Sequence, residues 1–365
     1  MPTLATGLQR LDIGQFRNIE TARLAFSPGL NLITGPNAAG KTSLLEAVYC
    51  LGRVHSFRTT DPNQLIRHGQ AAFRVVGRVG LPDGRVIPVG IQRRPGNYEI
   101  HLEGRPLRRL SDLAGRFPIH LMTGDTANIL SGGPRYRRQS LDWALFHVEP
   151  GYRNAWQRYA RALRQRNAAL RDHAPAVQVT VWDSELVSAA TSLDRLRRDY
   201  LKDLSGHVAR ELTLLLPGKK FAIRYQSGWA KDLTLAEALK KSLDKDRSRG
   251  YTQPGPHRAD YAVLVDDWPA RTHYSRGQQK SIIVGFLLGQ VKLQHALEVP
   301  KGIFLLDDLA SELDVEYQAR VLSGLAELET QVFVTAIDTR SLDLGAWPVH
   351  KRFHVEHGTI REVVQ

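Results

Sequence analysis

The chain has 365 residues, 42% of them hydrophobic, enough for one large domain or two smaller ones. The formal net charge of +13 favours a polyanionic partner such as nucleic acid, although a solvated basic surface would give the same excess. The single cysteine excludes an internal disulfide and a cysteine-based zinc site, and without a signal-peptide core or a membrane-length apolar run we expect a cytoplasmic protein with no membrane partner.

Residues 7–34 predict strands that lead into a loop and a helix. The loop fits the pattern G-x-x-x-x-G-K-[ST] and consists of Gly35, Pro36, Asn37, Ala38, Ala39, Gly40, Lys41 and Thr42. Glycines let the backbone N–H groups point at phosphate oxygens, Lys41 would reach the β- and γ-phosphates, and Thr42 would ligate Mg²⁺. A glycine-rich turn without a ligand is the alternative, and Ala38 stands where a third glycine is common.

The segment 71–103 predicts further strands, with a hairpin turn near Gly84. Beside the strand–loop–helix segment, these strands suggest a mixed sheet. Two long helices are then predicted, one with an apolar stripe from Tyr152 to Leu170 through Trp156 and Leu163, and one from Trp182 to Leu215. We expect them to fold back on each other as an antiparallel helical arm.

Residues 219–255 read as polar and partly loop, and strand patterns return from Tyr261 to the C-terminal end. The sequence thus predicts an α/β fold in which a helical lobe interrupts an ATPase core. The expected division is 1–110 for the N-terminal part of the core, 111–250 for the helical insertion, and 251–365 for the C-terminal part of the core.

An apolar run, 303–306, ends in two acidic residues. Asp307 would hold Mg²⁺, and Asp308 would orient the attacking water, which is what a nucleotide hydrolase needs beside its phosphate loop. An acidic turn after a strand is the plainer interpretation. Asp314, a little further on, is expected to cap a helix and is also a candidate for an interface between subunits.

The segment 274–280 opens another helix and predicts a second phosphate-binding surface through Ser275, Gly277 and Gln278. One γ-phosphate cannot easily meet both surfaces of the same chain. A symmetric homodimer, in which each Ser275 segment closes over the partner's nucleotide, resolves this. A simple helix cap by Ser275 is the alternative.

Several of these segments together resemble the ABC-type ATPases of the SMC class, namely 16–19, 35–42, 274–280, 305–314 and 353–360. Two more resemble motifs of the RecF family within that class. Residues 252–260 are similar to its G-P-H-R-D-D stretch, with Ala259 in place of an acid. Residues 131–142 are similar to its S-G-S-P-x-x-R-R-R-F-L-D stretch, with Gln139 in place of the third arginine. The resemblance covers nearly the whole chain.

The resemblance implies an ABC-type ATPase core, with ATP and Mg²⁺ as cofactors and Asp308 and Lys41 as catalytic residues. It implies ATP-dependent dimers that clamp DNA at junctions of duplex and single strand, and RecO and RecR partners that help load the RecA recombinase. It also implies weak, DNA-stimulated ATP hydrolysis that releases the clamp. Asp308 stands where the class usually has glutamate, which fits slow turnover.

The DNA-binding residues are the least specific prediction. Between Arg135 and Asp172 there are nine arginines against three acidic residues. Arginine side chains suit phosphate contacts, and the candidates are Arg135, Arg137, Arg138, Arg158 and Arg161. A solvated helix face would have a similar composition.

Other classes are less consistent with the sequence. A transporter ATP-binding subunit is disfavoured by motif spacing and charge, and a nuclease by the short segment after the ATPase motifs. A scaffold that binds ATP without meaningful hydrolysis, or another SMC/ABC-type ATPase, remains an alternative.

Overall fold

The computed structural model describes residues 7–81, 83–107, 113, 118–123, 128–297, 302–309, 315–338, 342, 344, 347 and 350–363. Its contacts divide the chain into two compact units. The first unit combines Met1–Thr126 with Glu298–Gln365, and the second is Ala127–Leu297. A core built from the two ends of the chain is what the sequence predicts.

The first unit consists mainly of strands. These are β1 Gly7–Phe16, β2 Ile19–Ala25, β3 Leu30–Thr34, β4 Phe73–Gly80, β5 Val86–Arg94, β6 Asn97–Leu102, β7 Arg105–Pro106, β8 Ile119–Met122, β12 Ile303–Leu306, β13 Gln331–Ala336, β14 His350–Glu356 and β15 Thr359–Val363. The helices are α1 Lys41–Arg53 and α10 Val315–Glu327, with a 3₁₀ turn at Pro62–Leu65.

These strands form two sheets. One is antiparallel, in the order β2-β1-β4-β5-β6-β7. The other has the order β15-β14-β3-β13-β12-β8 and is parallel except for β15, so the mixed sheet and the α/β fold are as predicted. The strands of 71–103 lie in the antiparallel sheet and not in the sheet of β3, because β4 pairs with β1.

The core of this unit surrounds α1. Its apolar face, including Leu44 and Val48, is fully buried, and α1 contacts strands of both sheets. Every residue of β3, β12 and β13 is buried, as expected for inner parallel strands that are covered on both faces. This packing fixes α1, and therefore the loop before it, against the ends of the parallel strands.

The second unit is mostly helical. Its helices are α2 Asn128–Ser131, α3 Pro134–Val148, α4 Tyr152–Arg171, α5 Ala176–Thr180, α6 Asp183–Leu215, α7 Leu235–Arg249, α8 Ala270–His273 and α9 Arg276–Ala296, with a 3₁₀ turn at Pro256–Arg258. Its strands, β9 Phe221–Gln226, β10 Asp260–Val265 and β11 Trp268–Pro269, form an antiparallel sheet in the order β11-β10-β9. Among the helices that the structure describes, none is both long and apolar enough to cross a bilayer.

The predicted pair of long helices is confirmed as α4 and α6. They run antiparallel: Tyr152 at the start of α4 contacts Arg197 within α6, whereas Arg166 near the end of α4 contacts Asp183 at the start of α6. The predicted stripe on α4 is partly wrong. Trp156 is 38% exposed, whereas Arg166 is fully buried. A charged residue can occupy the buried face because Asp183 and Asp246 both accept hydrogen bonds from its guanidinium group, at 2.7 and 2.8 Å.

Residues 219–255, expected to be partly loop, contain β9 and the capped helix α7. The strand that begins at Asp260 pairs with β9, and α9 packs against α6. The segment 251–297, assigned to the C-terminal core from the sequence, therefore lies in the second unit by its contacts. The physical reason is that β10 pairs with β9, the strand before it in the chain, and a strand pattern by itself does not specify the pairing partner.

Candidate functional site

The loop after β3 has backbone conformations that glycine adopts easily. Gly35 has a φ of +148° and Gly40 a φ of +120°. A Cβ on Gly35 would lie 2.1 Å from the carbonyl oxygen of Val355, so no side chain fits there. Ala38 is in the left-handed region at φ +62°, and it takes this conformation without the freedom of a glycine.

Lys41 begins α1, and its side chain folds back over this loop. Its Nζ donates hydrogen bonds to the carbonyl oxygens of Gly35 at 2.7 Å and Pro36 at 2.9 Å. Burial lowers the pKa of Lys41, and the carboxylates of Asp308 and Asp307 oppose this shift. A cation, a helix N-terminus and a curled backbone thus lie together, which is the arrangement that binds phosphate groups.

Asp307 follows β12 and is linked to two other elements. Its Oδ1 accepts hydrogen bonds from the hydroxyl of Thr42 at 3.1 Å and from that of Thr335 at 2.8 Å. Burial raises the pKa of Asp307, and these two hydrogen bonds partly offset the shift. The three residues meet because β13 lies between β3 and β12, and all three parallel strands end at the same edge of the sheet.

Asp308 lies next to Asp307 in a strained conformation. Its φ is +52°, which costs about 1–2 kcal/mol for a residue with a side chain. Its N–H donates a 2.7 Å hydrogen bond to the hydroxyl of Thr335. Thr335 therefore fixes both acidic residues, although it lies on a fully buried strand that gives no sequence signal for such a role.

The residues present fit a magnesium ion. Thr42 and Asp307 supply a hydroxyl and a carboxylate oxygen, which are the hard ligands that Mg²⁺ prefers, and the ion usually takes its other ligands from phosphate and water. Within the described ranges there is no group of three or more His, Cys, Asp or Glu side chains that could hold a metal.

These residues border a cleft of about 1080 Å³ in the first unit. Arg17 lies in its wall, and its guanidinium group donates two 2.7 Å hydrogen bonds to the fully buried Glu46 on α1. Asn18 donates to the carbonyl oxygen of Ala39 at 3.0 Å, which fastens the loop to β1 and β2. Arg17 and Asn18 belong to the segment 16–19, for which the sequence predicts no role of its own. The charged Glu46 within an apolar helix is the signal for a buried partner.

The second predicted phosphate-binding surface lies in the other unit. Ser275, Gly277 and Gln278 are exposed at the N-terminus of the 21-residue helix α9. Ser275 and Gln278 form a capping box, in which Ser275 Oγ accepts from the N–H of Gln278 and Gln278 Oε1 accepts from the N–H of Ser275. The capping alternative is therefore correct in structural terms, and it leaves open a role for this exposed helix end across an interface. Asp314 lies outside the described residues.

The candidate DNA-binding arginines differ in their surroundings. Arg135 and Arg161 are exposed. Arg137 donates two hydrogen bonds to Asp260, Arg138 donates to the carbonyl oxygen of Ala259, and Arg158 donates two to Glu185. On the first long helix, Arg166 is fully buried, whereas Arg158, Arg161, Arg164 and Arg171 are exposed.

Known proteins have sequences and structures similar to those of this chain. The family described as "RecF/RecN/SMC N terminal domain" matches residues 7–360. The DNA replication and repair protein RecF of Thioalkalivibrio sulfidiphilus is 39% identical over 356 residues, which are 97% of this chain and 99% of that protein. A solved structure of the recombination mediator protein RecF with ATP, in the RecFOR pathway, has a TM-score of 0.88 at 26% identity and covers 99% of both chains.

The Smc head domain of Pyrococcus furiosus shares the fold, with a TM-score of 0.60 at 15% identity, over 98% of this chain and 96% of that one. The fold is thus that of an ABC-type ATPase core. Since both the family match and the relatives extend over nearly the whole sequence, this chain belongs to the RecF family of the RecF/RecN/SMC proteins.

Proposed function

We propose that this chain is an ATP-dependent DNA-binding protein of DNA repair and replication. One observation carries the proposal: Asn37, Ala38 and 40–42 of the phosphate loop border one cleft with Asp307 and Asp308. Hydrogen bonds link Asp307 to Thr42, and Thr335 bonds to both acidic residues. The similarity to a RecF structure that contains ATP supports ATP as the nucleotide.

In this proposal the backbone N–H groups of residues 37–40 and the ammonium group of Lys41 bind the phosphates. Thr42 and Asp307 hold Mg²⁺, which when bound neutralises charge on the β- and γ-phosphates. Asp308 orients the attacking water. Its backbone strain supports a positioning role, since strained residues persist where surrounding contacts hold them for function.

The shorter side chain of Asp308 bears on how fast ATP is hydrolysed. A carboxylate one methylene shorter than glutamate lies farther from the water, which fits weak, DNA-stimulated hydrolysis that releases the protein from DNA. The same observation favours a second candidate, an ATP-binding scaffold without meaningful hydrolysis. Phosphate release from the purified protein, with and without gapped duplex DNA, separates the two.

We further propose that two chains close around two nucleotides. Ser275, Gly277 and Gln278 would contact the nucleotide bound to the partner chain, because an exposed N-terminus of a 21-residue helix suits the γ-phosphate. The closed dimer would clamp DNA at gap junctions through arginines such as Arg135 and Arg161. It would work with RecO and RecR to load RecA, as the membership of the RecF family suggests.

Light scattering with and without ATP, and then with gapped DNA, tests this mechanism. The wild-type chain should double its mass with ATP. Lys41→Met should lose ATP binding and dimerisation, whereas Ser275→Arg should bind ATP and stay monomeric. Thr234→Arg is the matched control, because Thr234 forms the same kind of capping box at the start of α7 in the same unit. A Ser275→Arg protein that dimerised normally would exclude the trans-acting helix end.

A further inference from the structure

Two segments with RecF-family resemblance have no role in the nucleotide cleft, and they meet in the second unit. Arg137, in the segment 131–142, pairs with Asp260 at 2.7 and 2.8 Å. Arg197 of α6 joins the segments again, since it donates to Asp142 at 2.6 Å and to the carbonyl oxygen of Pro256 at 2.8 Å. Hydrogen bonds therefore join the two segments to each other, and residues of both segments line a cavity.

This cavity has a volume of about 210 Å³ and lies between α3, α4 and α6. Its apolar lining includes Leu163, Leu193 and Ala160, and the indole of Trp156 borders it. Sites for drug-sized ligands begin at about 300 Å³, so this one suits a single flat ring system. Trp156 is 38% exposed, and an edge-to-face contact with Phe146 at 5.8 Å fixes its indole plane.

On one side of the cavity, the polar lining consists of the uncharged side chains of His257 and Tyr159. Burial lowers the pKa of His257 to about 4, so its imidazole is neutral near pH 7. Its Nε2 faces the carbonyl oxygen of Thr252, which can only accept a hydrogen bond, so Nε2 carries the proton and Nδ1 accepts from the Tyr159 hydroxyl at 2.6 Å. Both side chains are thus satisfied within the protein and form a rigid wall.

The other side of the lining carries an excess of positive charge, since Arg135, Arg138 and Arg197 face the single carboxylate of Asp142. The carboxylate of Asp142 is paired with Arg197. Arg138 donates to a neutral carbonyl oxygen, and burial together with the nearby cations Arg197 and Arg258 lowers its pKa. Arg135 is exposed at the same cavity. A desolvated guanidinium group beside other cations is stabilised by an anion, and a phosphate oxygen is a suitable one.

We propose that this cavity receives one unstacked base of single-stranded DNA, stacked on Trp156, with the adjoining phosphate at Arg135 and Arg138. The inference rests on the proposed DNA binding and adds a reason for preferring gapped DNA over intact duplex. Bases within a duplex are stacked and paired, whereas bases in a single strand can turn onto an aromatic side chain at little cost. Arg161 and Arg164, on the same helix as Trp156, are also exposed and could contact further phosphates.

Trp156→Ala tests the proposal, with Trp268→Ala as the matched control. Trp268 is also in the second unit, is 57% exposed, and stacks on His273 at 4.4 Å, away from the cavity. Affinity is measured by fluorescence anisotropy for gapped duplex, single-stranded DNA and blunt duplex at fixed salt. Trp156→Ala should weaken binding to gapped and single-stranded DNA about tenfold and leave blunt duplex almost unchanged. Trp268→Ala should match the wild type.

A second variant keeps the tryptophan and closes the cavity. Leu163→Phe should produce the same selective loss, and it decides the matter if Trp156→Ala unfolds. A 2-aminopurine in the single-stranded gap reports the stacked base, and its fluorescence should be quenched by the wild type but not by Leu163→Phe.

The possible outcomes separate this inference from the proposed function. Wild-type affinity for gapped DNA in both variants would overturn the base-binding cavity and leave the proposed DNA binding intact. Equal losses for gapped and blunt duplex would also overturn it, since they would indicate phosphate contacts alone. A wild-type protein that bound no DNA would overturn both.

Discussion

Replacement of Thr335 by valine tests the link between the two acidic residues. Valine has the same shape but removes a hydroxyl that donates to Asp307 Oδ1 at 2.8 Å and accepts from the N–H of Asp308 at 2.7 Å. Thr335 is fully buried, so the variant leaves the N–H of Asp308 without its hydroxyl acceptor. The expected loss is about 1–3 kcal/mol in the free energy of unfolding.

The same variant should impair ATP hydrolysis more than ATP binding. Asp307 loses one of the two hydroxyl donors that favour its ionised form, so the pKa of this carboxyl rises further and its affinity for Mg²⁺ falls. Loss of such an orienting contact typically costs about 10–100-fold in metal affinity or activity. The acid side of the pH–rate profile should move to higher pH, because Asp307 must be ionised to hold the metal.

Two further variants serve as controls. Thr335→Ser keeps the hydroxyl and should keep most of the activity. Thr330→Val removes another buried hydroxyl, which donates to the carbonyl oxygen of Gly302 at 2.9 Å just before the same strand. The assays are urea unfolding and phosphate release over a range of Mg²⁺ concentrations. If Thr335→Val lost stability like Thr330→Val but kept the wild-type rate and Mg²⁺ requirement, Thr335 would have no role in positioning the acidic residues.

Three other predictions address separate parts of the chain. Asp308→Glu should raise the rate of phosphate release, because the longer side chain reaches nearer the water; an unchanged rate would count against this account of slow turnover. Gly35→Ala should abolish ATP binding in calorimetry, since its Cβ would meet the carbonyl oxygen of Val355 at 2.1 Å, and retained affinity would contradict the loop conformation. The pKa of His257 is about 4 in the folded protein, below its usual 6.5. Between pH 6.5 and pH 4 the unfolded chain therefore binds a proton at this residue that the folded chain does not. Stability should therefore fall as the pH drops through this window, by about 3 kcal/mol, and His257→Gln should reduce that dependence in urea unfolding.

The phosphate loop could be predicted from the sequence because its chemistry is local. Its glycines, lysine and threonine occur within eight consecutive residues between a strand and a helix pattern, and the structure places Gly35 and Gly40 at positive φ. The acidic strand end could also be predicted, because an apolar run that stops at two aspartates gains a meaning beside a phosphate loop that it does not have alone. These predictions depended on neighbours in the chain, and local periodicity identifies such neighbours well.

Thr335 and Arg166 could not be predicted in the same way. Thr335 is one residue in a buried strand, and its role depends on β13 lying between β3 and β12. Arg166 interrupts the apolar stripe of α4, and it can be buried because it pairs with Asp246. That partner is 80 residues away in sequence, so the pattern of the helix alone does not reveal it. The periodic pattern therefore selected Trp156 and Leu163 as buried, when the packed face includes Ala162 and Arg166.

The strand–loop–helix that would hold phosphate and the two long helices can be predicted from the amino-acid sequence, because each follows from residue types and spacings over a few turns or strands. The structure is needed to show which strands share a sheet, which hydroxyl contacts both acidic residues, and that two unassigned segments enclose a cavity beside Trp156. Those features arise from contacts between residues tens to hundreds of positions apart, and such contacts leave no periodic trace in the chain.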